Sequence, residues 1–424
     1  MNKLVALQVS GDSFLLRRDD RNILVDGGYG SGALIAALSS PSVALNYLHI
    51  VVCTHADKDH AGGLTDLLDK SSVRVGEFWL PGAWSDSLPE LLKSPHLVVD
   101  ALVAELDDFI LEEARDRHQS EDEYEEDDKF ELRVHARIAE ERRKIQREFR
   151  GDVVRAEPEQ RDDEAGLVWL KEQAANLELD AVNDAASAKA FSRGRRLIRY
   201  RASTQQLDQQ WSAFWVSLID TAERIRKIAV QAIRHNVKVR WFDFGEFAKT
   251  LQASGGEPDL LVPLNAVELV VPPPPISGMM YMARLTPVNE ECLVLLSPSN
   301  KWTDDLGVVF TGDSPLGDGP NYSRSLLDWL PKPQPWVVAT APHHGSESNA
   351  VAYAHLERIT TVVLWLRSGG SSKHPGPTYR NLSPGRRGCT HCPHRNLERE
   401  VAEVQLSDSF SWPVFRVRAH DCSC

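Results

Sequence analysis

The sequence predicts an α/β domain built in two halves, with a helical segment inserted between them and a small cysteine-rich segment at the end. Three textures along the chain carry that reading. Over residues 1–100, short apolar runs are broken by Gly, Asp and Pro, as buried strands with tight connections are. Over 101–236, long charged stretches hold few Gly or Pro, and over 237–385 the short apolar runs return. Residues 386–424 form the tail, which carries four of the six cysteines.

Taken in order, VALQV, SFLLR, NILVDGG, LHIVVCTH and VGEFWLPG are the strands expected in the first half. Each is short, apolar and closed by a turn residue. In the middle the best-formed piece is 205–234. There Trp211, Phe214, Trp215, Leu218, Ile219, Ala222, Ile225, Ile228, Ala229 and Ile233 recur at spacings of three and four, the stripe of an amphipathic helix. The second half supplies VKVRWFDF, AVELVV, CLVLLS, GVVFTGD, PWVVATA and TTVVLWL, punctuated by four prolines at 272–275. The two strand-rich parts read as halves of one domain.

The bounds are consistent with this. A chain of 424 residues has room for two or three domains, or for one with a large insertion. Charges at Lys3, Asp12, Arg17, Arg18, Asp19 and Asp20 interrupt the first twenty residues, and no apolar run reaches the roughly eighteen residues of a membrane span. The expectation is therefore no signal peptide and no membrane. Six cysteines in so long a chain do not suggest a secreted disulfide framework, which points to the cytoplasm. The formal charge of −13 is uneven: residues 105–128 hold 13 Asp or Glu against two Arg, while 367–400 hold seven Lys or Arg against two Glu. A basic segment suits a phosphate-bearing substrate, and it suits a solvated face equally well.

The stretch VVCTHADKDHAGGL carries the chemistry. Residues 48–53 read as a buried strand, so 54–60 fall at its carboxyl end, where α/β folds collect their sites. His55, Asp57, Asp59 and His60 place two imidazoles and two carboxylates where a tight turn aims them at one or two cations. Gly62 and Gly63 let the following helix start close by. The plainer alternative is a polar loop with Asp59 capping a helix.

With Asp57 in place of its second histidine, this stretch resembles the His-x-His-x-Asp-His signature of the metallo-β-lactamase-fold hydrolases. NILVDGG resembles that family's first motif, in which an aspartate, here Asp26, supports the metal loop by hydrogen bonding. VVFTGD resembles the strand ending in the metal-bridging aspartate, here Asp313; APHHGSESN supplies His343 and His344, and KHPGPT supplies His374. Asp at the second ligand, HHGS and HP, with VSGDSFLL and VNEECLVLL, are most similar to the hydrolase domain of the competence DNA-uptake protein ComEC and its stand-alone relatives. The resemblance spans about 1–100 and 237–380.

What the resemblance implies is a four-layer αβ/βα sandwich with two divalent metal ions at one edge of the paired sheets. His55 and Asp57 would ligate one ion, Asp59 and His60 the other, with Asp313 bridging. His343 is the expected further ligand, while His344 either ligates in its place or faces the substrate. The family's third histidine has no strand-end counterpart among His96, His118, His135 and His235, so His374 is the candidate to complete the first ion's shell. Without thiolates and with three Asp, the set is hard enough to admit manganese as well as zinc. Two cations in one cleft would generate a hydroxide nucleophile and stabilise the attacking and leaving oxygens. Asp59 would orient the water or accept its proton. His344 or His374 would donate a hydrogen bond or a proton to the substrate.

The expected activity is hydrolysis of phosphodiesters in DNA or another nucleic acid. An esterase or lactonase on the same fold is the second expectation, since fold does not fix chemistry. The third is an effector subunit of a multi-protein system, such as an anti-phage conflict system, switched on by a protein partner. The helical segment would then be a docking surface, a lid or a dimerisation arm, with SRGRRLIRYR as an internal salt-bridge partner for the acids nearby. In the tail, Cys389, Cys392, Cys422 and Cys424 have the C-x2-C and C-x-C spacing of a structural zinc site, with free thiols or disulfides as alternatives.

Overall fold

A computed structural model describes residues 2–116, 127–149, 153–156, 164–175, 177–204, 207–299, 305–328, 330, 334–369, 374–390 and 402–406. The chain begins β1 (Lys3–Ala6), β2 (Phe14–Arg18), β3 (Arg21–Val25), α1 (Ser31–Ser39), β4 (Tyr47–Val52), α2 (Lys58–Ala61), α3 (Leu67–Lys70), β5 (Arg74–Pro81) and α4 (Leu88–Lys93). Helices follow: α5 (Pro95–Asp116), α6 (Asp127–Phe149), α7 (Ala165–Gln173), α8 (Ala181–Ser203) and α9 (Gln209–Arg234). Next come β6 (Lys238–Asp243), α10 (Phe244–Thr250), β7 (Val262–Pro263), β8 (Val267–Leu269), α11 (Tyr281–Leu285), β9 (Leu295–Ser297) and β10 (Gly307–Phe310). The last elements are the β11 (Gly317–Asp318) and β12 (Arg324–Ser325) hairpin, β13 (Trp336–Thr340), α12 (Ala350–Glu357), β14 (Thr361–Arg367), α13 (Pro377–Arg380), β15 (Arg387–Cys389) and β16 (Ala402–Gln405).

Eleven of the apolar runs read from the sequence lie on strands β1 to β6, β8, β9, β10, β13 and β14. They form two mixed sheets, an eight-stranded one in the order β16-β1-β2-β3-β4-β5-β6-β8 and a six-stranded one in the order β15-β14-β13-β10-β9-β7. Strands β3 to β6 run parallel in the first, and β10, β13, β14 and β15 run parallel in the second.

Alternation along the strands makes the layers. Leu4, Ala6, Phe14, Leu16, Ile23, Val25, Ile50 and Val52 share one core with Val308, Phe310, Val338, Leu364 and Leu366, so the inner faces of the two sheets meet. Their neighbours Val5, Leu15, Leu24 and Val51 point the other way, into a core they share with the helices, and Val309, Val337, Ala339 and Val362 point out toward α12. A register shift between β13 and β14 skips Val363, which lets Val362 and Trp365 line the outer face while Leu364 and Leu366 line the inner one. The result is the expected sandwich of two sheets faced by helices.

The helical segment is the outer layer of the first sheet. Val98, Val99, Leu102, Leu106, Phe191, Ile198, Trp215 and Leu218 are buried in one cluster with Val51, Phe78, Leu80 and Val239. Helix α9 carries the expected stripe and starts at Gln209, because the Asp208 carboxylate accepts from Trp211 N at 2.8 Å and caps it. The basic SRGRRLIRYR stretch lies on α8, and two of its arginines make partly exposed pairs with acids of α5: Arg193 with Asp100 at 2.9 Å, and Arg201 with Asp107 at 2.9 Å.

Two short strands come from the tail. β15 extends the second sheet and β16 pairs with β1 along an edge of the first, covering backbone that would otherwise face solvent. Cys389 ends β15 and is buried, whereas Cys392, Cys422 and Cys424 lie outside the described residues, as does His118. Among the described residues no helix is long and apolar enough to cross a membrane.

Candidate metal centre

The side chains picked out in the sequence converge where the parallel strands of both sheets end. Asp26 follows β3, His55 to His60 follow β4, Asp313 follows β10, and His343 and His344 follow β13. The segment after β4 is not all loop. Asp57 stands at the start of the short helix α2, but its carboxylate makes no capping bond and lies 3.2 Å from His55 Nε2 instead. Asp59 and His60 are inside that helix, which rules out a capping role for Asp59.

Backbone conformations reserved for special positions accumulate here. Asp26 has φ 59°, and His343, His344 and Gly345 follow one another at φ 48°, 52° and 79°. Left-handed backbone at non-glycine residues costs of the order of 1–2 kcal/mol each, and it is held only by surroundings that fix it. Gly11, at φ 85°, is required outright: a Cβ there would stand 2.1 Å from the Asp59 carbonyl oxygen. That close approach brings Asp12 to the centre, with its amide donating to the same carbonyl at 2.8 Å.

Two donor groups form. Asp12, His60, Asp313 and His344 offer ligand atoms within 4.8 Å of one another, and so do His55, Asp57 and Asp313. Asp313 belongs to both. Its Oδ1 lies 3.0 Å from His60 Nε2, while its Oδ2 lies 3.6 Å from His55 Nε2 and 3.7 Å from His343 Nε2. Asp59 stands beside the first group with Oδ2 2.8 Å from His344 Nε2. The His374 ring is brought in too, its centroid 5.6 Å from that of His343 and 6.4 Å from that of His344.

Carboxylates behind the histidines fix which nitrogen faces the centre. His60 Nδ1 donates to Asp26 Oδ2 at 2.8 Å, which leaves Nε2 toward Asp313. His344 Nδ1 donates in the same way to Asp12 Oδ1 at 3.0 Å, leaving Nε2 for Asp59 and the cleft. Asp26 also accepts from Thr54 N at 2.8 Å and Thr54 Oγ1 at 2.7 Å, so one carboxylate ties the end of β4 to the histidine. Beneath Asp313, its amide donates to Cys292 Sγ at 3.3 Å, and its carbonyl accepts from Asn349 Nδ2 at 2.8 Å.

Burial would push the His55, His60 and His344 imidazoles toward neutrality, yet their neighbours overcome it and hold all three well above the usual histidine range. For His60 those neighbours are Asp313 and Asp26, and for His344 they are Asp12 and Asp59. Burial opposes ionisation of Asp313 as well, and His343, His60 and His55 still hold it well below the ordinary carboxylate range. Protons thus balance a concentrated negative charge, the position a metal cation would take. The buried atoms His55 Nε2, His60 Nε2, Asp313 Oδ1 and His343 Nδ1 have no hydrogen-bond partner of good geometry among the described residues. Such groups cost about 1–3 kcal/mol each when left unmet. An imidazole and carboxylate set with lone pairs turned inward fits a divalent metal ion.

Four residues at this centre had no assigned role in the sequence reading. Asp12 is one; it lies in the VSGDSFLL stretch that carries part of the family likeness, which was its one sequence signal. Cys292 and Arg224 are two more, Arg224 reaching the metal loop from helix α9, where its Nε donates to the Ala56 carbonyl at 2.8 Å. The fourth is His135 on α6, half-buried near Phe214; burial lowers its pKa, Asp57 opposes that and His343 adds to it, so the ring senses the centre. Of the other histidines in that span, His235 bonds Asp69 at 2.7 Å, away from the site.

Comparison with known proteins agrees with the fold. Residues 7–171 match the model of the metallo-beta-lactamase superfamily. No curated protein matches the chain. The match spans less than half of the chain; it takes in Asp12, Asp26 and the cluster from His55 to His60, and stops short of Asp313, His343 and His344.

Proposed function

We infer that this protein is a two-metal phosphodiesterase that cleaves DNA or another nucleic acid. The observation that carries the reading is the sharing of Asp313 between two donor groups, one carboxylate oxygen turned to each. When bound, two divalent ions of zinc or manganese would lower the pKa of a water and offset charge on a phosphoryl group. His55 and Asp57 would hold one of them and His60 with His344 or Asp12 the other. Asp59, against His344 Nε2, is placed to orient the water or take its proton. His344, held from behind by Asp12, and His374 are placed to donate toward a phosphoryl oxygen.

A nucleic-acid substrate is favoured by the mouth of the site. Lys58, exposed between Asp57 and Asp59, lies 4.1 Å over the ring of Tyr29, which is 51% exposed. The ammonium, held over the ring, offers an exposed cation for a phosphate beside the ligand cluster. The basic segment after β14 supports the reading less than its composition suggests. Arg367 is buried and donates to the His374 carbonyl, and Arg386 pairs with Glu357 and the Val362 carbonyl. The likeness to the ComEC hydrolase domain supports the same substrate class.

The test is turnover of a chromogenic phosphodiester, plasmid DNA and single-stranded DNA by metal-stripped protein given back manganese or zinc, beside an Asp57→Ala, Asp313→Ala control. Metal-dependent cleavage lost in the control is the expected result. Silence on every diester from protein that binds two metals would refute it and turn attention to a small ester or lactone, or to activation by a protein partner through the helical layer.

A further inference from the structure

We propose that Arg224, on the helical layer, is a positioning residue for the metal loop: it holds the loop in ligating geometry and so sets the affinity of the centre for its metal. The inference rests on the metal-centre reading above. Helix α9 meets the loop that follows β4 at two places seven residues apart, which is two helical turns and therefore one face. At the first, Arg224 Nε donates to the carbonyl of Ala56, the residue between His55 and Asp57. At the second, Gln231 Nε2 donates to the carbonyls of Leu64 and Thr65 while its Oε1 accepts from Leu68 N at 2.9 Å. The chain between these grips carries Asp57, Asp59 and His60, and His55 immediately precedes the first of them.

Arg224 is built in rather than incidental. It is 8% exposed, Thr221 Oγ1 one turn back accepts from its Nη2 at 2.8 Å, and Thr221 is itself buried. Desolvation lowers the pKa of its guanidinium, and Asp57, Asp220 and Asp59 offset only part of that. Ala56 is buried as well. Removing the guanidinium would leave its carbonyl without that donor, and the cheapest relief is a shift of the loop that carries both flanking ligands away from Asp313.

The two effects of the guanidinium on a cation have opposite signs. Its charge repels the metal, whereas its hydrogen bond fixes the ligands. The geometry points to the second as dominant, because the donor contacts the loop backbone directly and no ion pair joins it to either ligand carboxylate at contact distance among the described residues.

The experiment measures zinc affinity of the full chain by competition with a chromophoric chelator, with circular dichroism as the check on folding. Arg224→Met is expected to bind zinc about ten- to hundredfold more weakly, the usual range for losing support behind a metal ligand. Arg224→Lys is expected to recover part of that loss. Activity of the Met variant returns at saturating zinc with KM for the diester unchanged. Thr221→Val removes only the contact that orients the guanidinium, and is expected to weaken zinc binding about three- to tenfold, less than loss of the guanidinium itself because the bond to Ala56 remains; it carries the test if Arg224→Met fails to fold. Affinity unchanged within twofold in folded variants, or tighter binding in Arg224→Met, would overturn the proposal. A wild-type chain that binds no zinc or manganese would instead remove the metal-centre reading beneath it.

Discussion

Asp26→Asn isolates one link of the metal centre. The carboxylate meets three donors with two oxygens: Oδ1 takes Thr54 N, and Oδ2 takes both Thr54 Oγ1 and His60 Nδ1. An asparagine has the same shape, and it tolerates the left-handed backbone at φ 59° as aspartate does, so no strain is added. It has a single oxygen. Whichever way the amide turns, its NH2 faces either Thr54 N–H or His60 Nδ1–H. The first leaves a buried amide unmet at about 1–3 kcal/mol. The second is relieved if His60 moves its proton to Nε2, which takes away the lone pair turned toward Asp313. Either way about 1–3 kcal/mol is lost from the metal-ready state, a weakening of zinc binding of roughly five- to 150-fold at 1.4 kcal/mol per tenfold. Chelator competition measures the affinity, and imidazole 15N shifts of the zinc-free protein, taken at a pH above the raised His60 value so that the ring is neutral, report which nitrogen of His60 holds its proton. An affinity within threefold of the parent, or an unchanged His60 Nδ1–H with unchanged zinc binding, would refute the reasoning.

Other outcomes follow from the same geometry. Zinc must displace protons from imidazoles held above the ordinary value of 6.5, so affinity should rise as pH rises through the range above 6.5, with proton release seen as a buffer-dependent heat of binding; no release at pH 7 would contradict this. The sign for the metal-free fold is the reverse: these raised histidines stabilise it below 6.5, and the contribution fades as pH climbs through their raised values, which a pH series of thermal unfolding would detect. Trp215→Ala should cost about 3–5 kcal/mol in denaturant unfolding, because the ring is fully buried against Phe109 and Phe214 and leaves a cavity under α9. Excising residues 95–234 and joining α4 to β6 by a flexible linker should give a chain that binds a hydrophobic dye and lacks cooperative unfolding; a cooperative, zinc-binding product would show that the helices are dispensable.

The strands were legible because each is apolar, short and closed by a turn residue, and because the strands of the buried layers keep their periodicity. The first ligand cluster was legible for the opposite reason, since no structural demand concentrates His55, Asp57, Asp59 and His60 within six residues. Residues that act at a distance in sequence were not. Asp12 reaches His344 across 332 positions, and Arg224 reaches Ala56 across 168; neither contact is written in a local pattern, because it exists only once the sheets and helices have packed, although Asp12 itself sits in the recognisable VSGDSFLL stretch. Short strands such as β15 and β16 were missed as well. Strands β8 and β9 are no longer than these but sit in apolar runs, whereas Arg387–Cys389 and Ala402–Gln405 do not, and pairing with an existing edge, not propensity, makes them strands.

The helical layer follows from topology. β5 and β6 are parallel neighbours in the first sheet, and a parallel connection cannot be a hairpin: the chain must cross one face to return to the starting end. That face carries Phe78, Leu80 and Val239, apolar positions whose opposite neighbours Trp79 and Phe242 belong to the core between the sheets. Any chain making this crossover has to cover them. Here the crossover is α4 to α9, far longer than closure alone requires, and its last helix runs back along the sheet into β6. α9 is therefore placed by the sheet, and the metal loop is placed by the adjacent strand β4, one position along in the strand order. Once β4, β5 and β6 are in register, Arg224 and Gln231 face the loop with no further adjustment. A segment that composition marks as a separate charged insertion is thus mechanically part of the site: one of its faces is core to the sheet, and one end of that face touches the ligands.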